Sequence, residues 1–200
     1  MKTIKLSLVA LATVLTMGAA AQVGIQAGYS SESQKTTGTI LGFTASTTTT
    51  LNGFHVGPII DMNVQGPVGF QTGLLYNYLT GTGINNKKIV AHEIDLPVRL
   101  TVAFPVSDAV SVFAFGGPNV NYALSQKTDG GDNIYSLKNP LNNDKKILSP
   151  FDFQLGVGGG LKWNKLTLKA GYDWGMFNKT SIDNATFKSN VLKAAVAYTF

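Results

Sequence analysis

The feature that most restricts the fold of this chain is an alternation of apolar and polar residues that returns in segment after segment from Val23 to the C-terminus. In the final stretch, NVLKAAVAYTF, Leu192, Ala194, Val196, Tyr198 and Phe200 share one parity, while Val191, Lys193, Ala195, Ala197 and Thr199 share the other. A period of two sends the two sets to opposite faces of a β-strand, whereas an amphipathic helix repeats every 3.6 residues and would mix them.

The same division runs through LTLKAGYDWGMF (166–177), where Leu166, Leu168, Ala170, Tyr172, Trp174 and Met176 alternate with Thr167, Lys169, Gly171, Asp173 and Gly175. In FDFQLGVGGGLKW (151–163), Gly156, Gly158 and Gly160 join Asp152, Gln154 and Lys162 on the polar side. Glycine there makes room for long side chains across a narrow interior or allows sharp curvature. Five further segments alternate, near 23–30, 54–64, 68–78, 90–104 and 109–124. Pro97 lacks a ladder donor and predicts a bulge or an unpaired position, and Phe113 and Phe115 predict an aromatic cluster on the polar face. The expectation is eight strands, an even number as single-chain bacterial barrels have.

The first residues, MKTIKLSLVALATVLTMGAAAQ, combine a basic start at Lys2 and Lys5, an apolar run from Leu6 to Met17 and a small-residue exit at Ala19–Ala21. This is the layout of a cleavable signal peptide, residues 1–21, leaving one domain over 22–200. The apolar run is shorter than the roughly 20 residues of a membrane helix. No later segment has that length and continuity either, so a spanning protein of this sequence must close its sheet, leaving no backbone group unpaired in lipid.

Connectors predict the orientation. Those at Gln65–Pro67, Pro105–Asp108 and Asn164 are short, and those at Ser31–Asn52, Thr80–Lys87, Ser125–Pro150 and Asn178–Ser189 are long. Short periplasmic turns and long outer loops are the habit of outer membrane barrels. The Thr-rich stretch GFTASTTTTLNG in the first loop is compatible with disorder or with an extension of the wall. The rival fold is a soluble ligand-binding barrel with the parity inverted. Apolar faces of roughly 9 to 11 residues, aromatics near strand ends and long loops at one end favour lipid outside. The fold class is therefore all-β, an eight-stranded antiparallel transmembrane β-barrel, located in the outer membrane with lipid as its first partner.

The interior then carries Asp61, Glu93, Asp95, Asp152 and Asp173 against Arg99, Lys162, Lys169 and Lys193, near the balance that buried charge requires. Eight strands enclose little more than their own side chains, so a wide porin-like pore is not expected. Without Lys2 and Lys5, 14 basic residues face 11 acidic ones spread among them, which gives no nucleic-acid surface. Cysteine is absent, which removes thiol chemistry.

Over nearly the whole mature length the chain resembles the PorT-like outer membrane β-barrel family, found mainly in Bacteroidetes and related in architecture to OmpA-like and OmpX-like barrels. The resemblance rests on the Ala21-Gln22 junction, FHVGPIIDMNV (54–64), GFQTGLLYNY (69–78), EIDLPVRLTVAF (93–104), VFAFGGPNVNYAL (112–124) and GVGGGLKWNKLTLKAGYDWGMFN (156–178). The Leu96-Pro97 pair and the Gly116-Gly117-Pro118 element are particularly similar. The resemblance implies a barrel with no catalytic signature. Secretion, linked to the family's namesake, does not transfer with the barrel alone. A cell-wall-binding domain of the OmpA kind is not expected after Phe200.

Candidate chemistry is sparse. His55 faces inward on the same side as Asp61, but six strand residues hold them about 20 Å apart, and a polar filler is the simpler reading. His92 sits at the end of an apolar face, where it invites comparison with small lipid-modifying barrels or reads as an interfacial residue. Asp129, Asp132 and Asp144 give weak grounds for calcium, and DGGDN (129–133) reads more simply as a turn. No catalytic, cofactor or metal residue is assigned. The expected function is a structural or interaction scaffold whose outer loops, Ser31–Asn52 and Ser125–Pro150 above all, meet proteins or glycans. A narrow small-solute channel is the alternative, and a lipid-modifying enzyme a more distant one. Periplasmic chaperones and the barrel assembly machinery are expected partners during biogenesis.

Overall fold

The computed structural model describes residues 21–40, 43–83, 86–139 and 142–200. The expected signal peptide lies outside these residues, except Ala21, which opens the first strand opposite Met62. The strands are β1 (Ala21–Ile40), β2 (Phe43–Gln65), β3 (Val68–Gly73), β4 (Leu75–Thr82), β5 (Lys88–Pro105), β6 (Val110–Thr128), β7 (Lys138–Asn139), β8 (Asn142–Lys146), β9 (Phe151–Trp163), β10 (Leu166–Gly175) and β11 (Ala185–Thr199). A short 3-10 turn at Ile134–Ser136 precedes β7.

Eight antiparallel staves close into a ring. β3 and β4 form one stave interrupted at Leu74, and both pair with β2 on one side and β5 on the other. From β5 the order runs β6, β9, β10, β11 and β1, and β1 pairs again with β2. β7 and β8 make a separate small hairpin above the wall. No helix among the described residues is long and apolar enough to cross a membrane, so any crossing is made by strands.

Parity falls as the sequence predicts. Val23, Ile25, Leu155, Val157, Leu168, Leu192 and Val196 face outward and are exposed, while Gln26, Asn77, Asp95, Asn119, Asp152, Gln154 and Asp173 are buried inside. Large aromatics ring both rims of the apolar belt. Tyr29, Phe54, Tyr78 and His92 lie side by side across four staves at the outer rim. Trp163, Tyr198 and Phe200 mark the inner rim.

The glycines of β9 and β10 do what the narrow interior demands. A Cβ on Gly158 would lie 2.3 Å from the tip of the Phe115 ring, one on Gly160 2.8 Å from Phe113, and one on Gly171 2.7 Å from Phe115. The two rings lie tilted by 31° with centroids 6.2 Å apart, which is the expected inner aromatic cluster. The short turns carry left-handed residues, Gly66 at φ +57° and Asn164 at φ +52°.

Pro97 also sits where the sequence places an irregularity. The β5–β6 ladder skips from Pro97↔Asn119 to Leu100↔Gly116, and Leu74, the gap between β3 and β4, lies beside Leu96 and Pro97 on the other flank. Gly117, at φ +148°, approaches so closely that a Cβ there would meet the Val98 carbonyl at 2.3 Å. The two elements singled out from sequence, Leu96-Pro97 and Gly116-Gly117-Pro118, thus face each other across one break in the wall.

One expected loop is largely wall, and two others are shortened by it. Ser31–Asn52 is a β-hairpin, with β1 and β2 paired up to Ile40↔Phe43, which selects wall extension over disorder for the Thr-rich stretch. β6 continues to Thr128 and β11 begins at Ala185, so the Ser125–Pro150 and Asn178–Ser189 loops are shorter than expected. Above the membrane the outward face meets water in place of lipid while the inward face stays polar, so the hydrophobic alternation vanishes although the pairing continues.

Candidate functional site

The lumen is filled in tiers. Toward the periplasmic mouth, Asp61, Gln71, Thr101, Ser111, Lys162 and Thr167 line a vestibule of about 260 Å³ with Phe113 at its inner end. Above it Arg99 bonds both Asp173 and the Gly117 carbonyl, and Lys193 bonds Asp95 and stands 4.0 Å from Asp173. Lys169 reaches Gln71, and both Arg99 and Lys169 lie 5.9 Å from the Phe115 ring centre. The space left among these groups is about 40 Å³, on the scale of water and far below the roughly 300 Å³ at which small-molecule pockets begin.

Asp95 is the hub of the next tier. It accepts from Asn77 at 2.7 Å and from Asn119 and Asn121 at 2.9 Å, and Asn121 also donates to Glu93 at 2.8 Å. His55 is fully buried, with Gln26 3.0 Å from Nε2 and Ser30 2.8 Å from Nδ1. Ser30 donates to Asn77, so the bonds close with Nδ1–H donating to Ser30 and Nε2 accepting from Gln26. Asp61 pairs instead with Gln71 at 2.5 Å, and His55 serves as the polar filler the sequence suggests.

The outermost tier holds residues the sequence reading missed. Glu32 and Gln34 come from the segment read as loop, yet both point inward and are buried; Gln34 bridges Glu32 and Gln126. Carrying the parity of Gly24, Gln26, Gly28 and Ser30 two steps further would have found them. Lys179, from the chain between β10 and β11, reaches inward to Ser189 at 3.1 Å and Asp152 at 3.9 Å and lies 5.3 Å from the Phe187 ring centre. No periodicity marks it.

A platform sits on this plug. Ala123, Tyr135, Leu148 and Phe187 form a buried apolar cluster joining β6, the 3-10 turn, the chain before β9 and β11. Asn133 fastens the turn, its side-chain oxygen accepting from Gln126 N at 3.1 Å and Tyr135 N at 3.2 Å. DGGDN is the expected turn, with Gly130 at φ +73° and Gly131 N donating to Thr128 O. Asp129 and Asp132 are exposed, and the Asp144 side chain lies outside what is described. Among the described residues no group of three acidic or histidine side chains is placed to hold a metal. Burial, then the facing Glu93, Glu32 and Asp152, push the Tyr135 hydroxyl well above its ordinary range.

His92 stands on the outer surface as the sequence places it. Tyr76 Oη lies 2.6 Å from its Nδ1, and the Tyr78 ring meets it edge-on at 5.3 Å. Ser125 is its cross-strand neighbour at a register shift, and no hydrogen bond joins the two among the described residues. The arrangement is that of an interfacial aromatic cluster.

A closed wall with an apolar outer belt, two aromatic rims and a polar filled interior defines a transmembrane β-barrel of the outer membrane. The chain belongs to the outer membrane protein beta-barrel domain family, which matches residues 19–181. Among solved structures it is similar to the outer membrane enzyme PagL, with 11% identity, a TM-score of 0.51 and coverage of 84% of this chain and 99% of that one. Neisserial surface protein A is 17% identical with a TM-score of 0.49, covering 90% of this chain and 99% of that one. Ail, the attachment invasion locus protein of Yersinia pestis, solved with a heparin analogue, is 14% identical with a TM-score of 0.44 and the same coverages. The likeness to PagL speaks for the fold alone. No curated protein matches the chain.

Proposed function

We propose that the protein is an interaction scaffold that presents a rigid extracellular surface and neither conducts solutes nor catalyses a reaction. The observation that carries this reading is the apolar cluster of Ala123, Tyr135, Leu148 and Phe187, which fastens the outer connections over a lumen occupied by ion pairs and amides. A conduit would spend its outer end on an opening, whereas this end is packed into a platform. Proteins or glycans meeting the platform bind without the ordering cost of a mobile loop. The signal peptide over residues 1–21 and membership of the PorT-like branch belong to the same proposal. The second is supported by the meeting of Leu96-Pro97 with Gly116-Gly117-Pro118 at one break in the ladder.

Refolded mature protein is expected to carry no steady current in a planar bilayer and to give discrete signals on protein and glycan arrays. Replacing residues 129–147 by a short Gly-Ser link should abolish those signals. Steady conductance together with array signals indifferent to that replacement would overturn the proposal.

A further inference from the structure

The vestibule at the periplasmic mouth has a lining that the packing of the barrel does not use. Ser111, Lys162 and Thr167 stand directly opposite one another on β6, β9 and β10, so their side chains form one inward row with a hydroxyl on each flank of an ammonium. Thr167 is only 4% exposed, yet its hydroxyl, like those of Ser111 and Thr101, takes part in no hydrogen bond among the described residues. Polar groups withdrawn from bulk water keep a partner in nearly every native protein. Hydroxyls grouped in this way around one cup mark a place where the partner comes from outside.

The charges of the cup are kept apart. Lys162 donates across the mouth to the Gln22 side chain at 3.2 Å, while Asp61, the register partner of Gln22 on β2, is held by Gln71 at 2.5 Å. Gln71 is fixed in turn by Lys169 from the tier above. The ion pairs among the described residues belong to Arg99, Lys179 and Lys193, so Asp61 and Lys162 line one space of about 260 Å³ without pairing. Oδ2 of Asp61 accepts no hydrogen bond among the described residues, and the Lys162 ammonium keeps donors to spare. Phe113 closes the inner end, and the ion pairs beyond it leave only about 40 Å³, so what enters from the periplasm goes no further. Outward the cup widens along Asn63, Thr101 and Ser111 into the space beside the Gly66-Pro67 turn.

We infer that this vestibule is a binding site for a small zwitterion of the amino-acid or short-peptide class. The ligand carboxylate lies against Lys162 between the Ser111 and Thr167 hydroxyls, and its ammonium lies against Asp61. Charge-assisted hydrogen bonds of this kind are roughly twice as strong as neutral ones. A ligand with only a negative charge would meet Asp61, one with only a positive charge would meet Lys162, and a neutral sugar would leave both charges unanswered. The cavity is just below the roughly 300 Å³ at which small-molecule pockets begin, which limits the ligand to a residue or two. The site lies at the opposite end of the barrel from the platform and does not depend on it.

The experiment uses mature protein refolded into detergent micelles and titrated in a calorimeter with alanine, alanyl-alanine, N-acetyl-alanyl-alanine and alanyl-alanine amide. At least one of the two zwitterions should bind, and their order separates free amino acid from peptide. The acetylated form lacks the ammonium and the amide lacks the carboxylate, so each should bind about tenfold more weakly than alanyl-alanine, the share of one hydrogen bond to a charged group. Lys162→Gln should weaken zwitterion binding to a similar extent, Lys162→Arg should retain it, and Asp61→Asn should bind the acetylated and free-amine peptides alike. The folded-barrel band on unheated gels shows that each variant has folded. No binding by either zwitterion, equal affinity for the parent, acetylated and amidated peptides, or unchanged binding by folded Lys162→Gln would each overturn the inference.

Discussion

Replacing Asp173 with asparagine removes one charge from the tightest ion pair in the lumen. Asp173 and Arg99 are each 6% exposed at the side chain, so the figures for buried pairs apply, and breaking such a pair costs about 3–5 kcal/mol. Two features pull the cost down. The amide keeps an oxygen for the guanidinium, and Arg99 retains the Gly117 carbonyl. One pushes it up, because Arg99, Lys169 and Lys193 would then be left with Asp95, bonded to Lys193, and Asp61, which Gln71 links to Lys169, as the neighbouring carboxylates. The expected loss is about 3 kcal/mol, at the lower end of the range for an unpaired buried charge. Urea unfolding in lipid vesicles, followed by the fluorescence of Trp163 and Trp174, measures it. Combining Asp173→Asn with Arg99→Gln removes the orphaned cation and should restore at least half of the loss. A single-variant cost below about 0.5 kcal/mol, typical of an exposed pair, would refute the reasoning, as would a double variant no better than the sum of the two singles.

Ala170→Arg tests the orientation of the wall: at the lipid-facing middle of β10 it should cost about 2–4 kcal/mol in the same unfolding assay. Gly158→Val should cost about 1–3 kcal/mol by overpacking, since its first added carbon lies 2.3 Å from both the Ala170 carbonyl and Phe115; expressing Gly158→Val with Phe115→Ala should recover part of that. Tyr135 should ionise later than the exposed tyrosines in an alkaline absorbance titration. Its proton is held more tightly in the folded state, so its contribution to the platform is present below about pH 10 and lost as the pH rises through the folded-state value. Protease cleavage of residues 129–147 should accelerate over that window, and Tyr135→Phe should flatten the dependence.

What the sequence disclosed depended on where solvent changes across the wall. Between the two aromatic rims one face meets hydrocarbon and the other the polar lumen, so each residue's parity is written in its chemistry. His55, Asp95, Arg99 and Asp173 were assigned inward by counting alone, and the room made by Gly158 and Gly160 followed from the same count. Above the outer rim the contrast disappears. Glu32 and Lys35 are both polar, yet Glu32 is buried and Lys35 exposed, and only their place in the ladder separates them. Lys179 and Tyr135 lie in irregular backbone, where no period exists to be read.

The seam between the first and last strands has a consequence for how the protein is made. Gly24 faces Thr199, and Phe200 N donates to Val23 O, so the ring is joined by the two ends of the described chain. A sheet of seven staves in hydrocarbon would hold two raw borders of amides, each unmet group costing several kcal/mol. No stable partial product therefore exists inside the bilayer. Insertion must either wait until the final strand arrives or proceed against a surrogate edge that yields its place to β11.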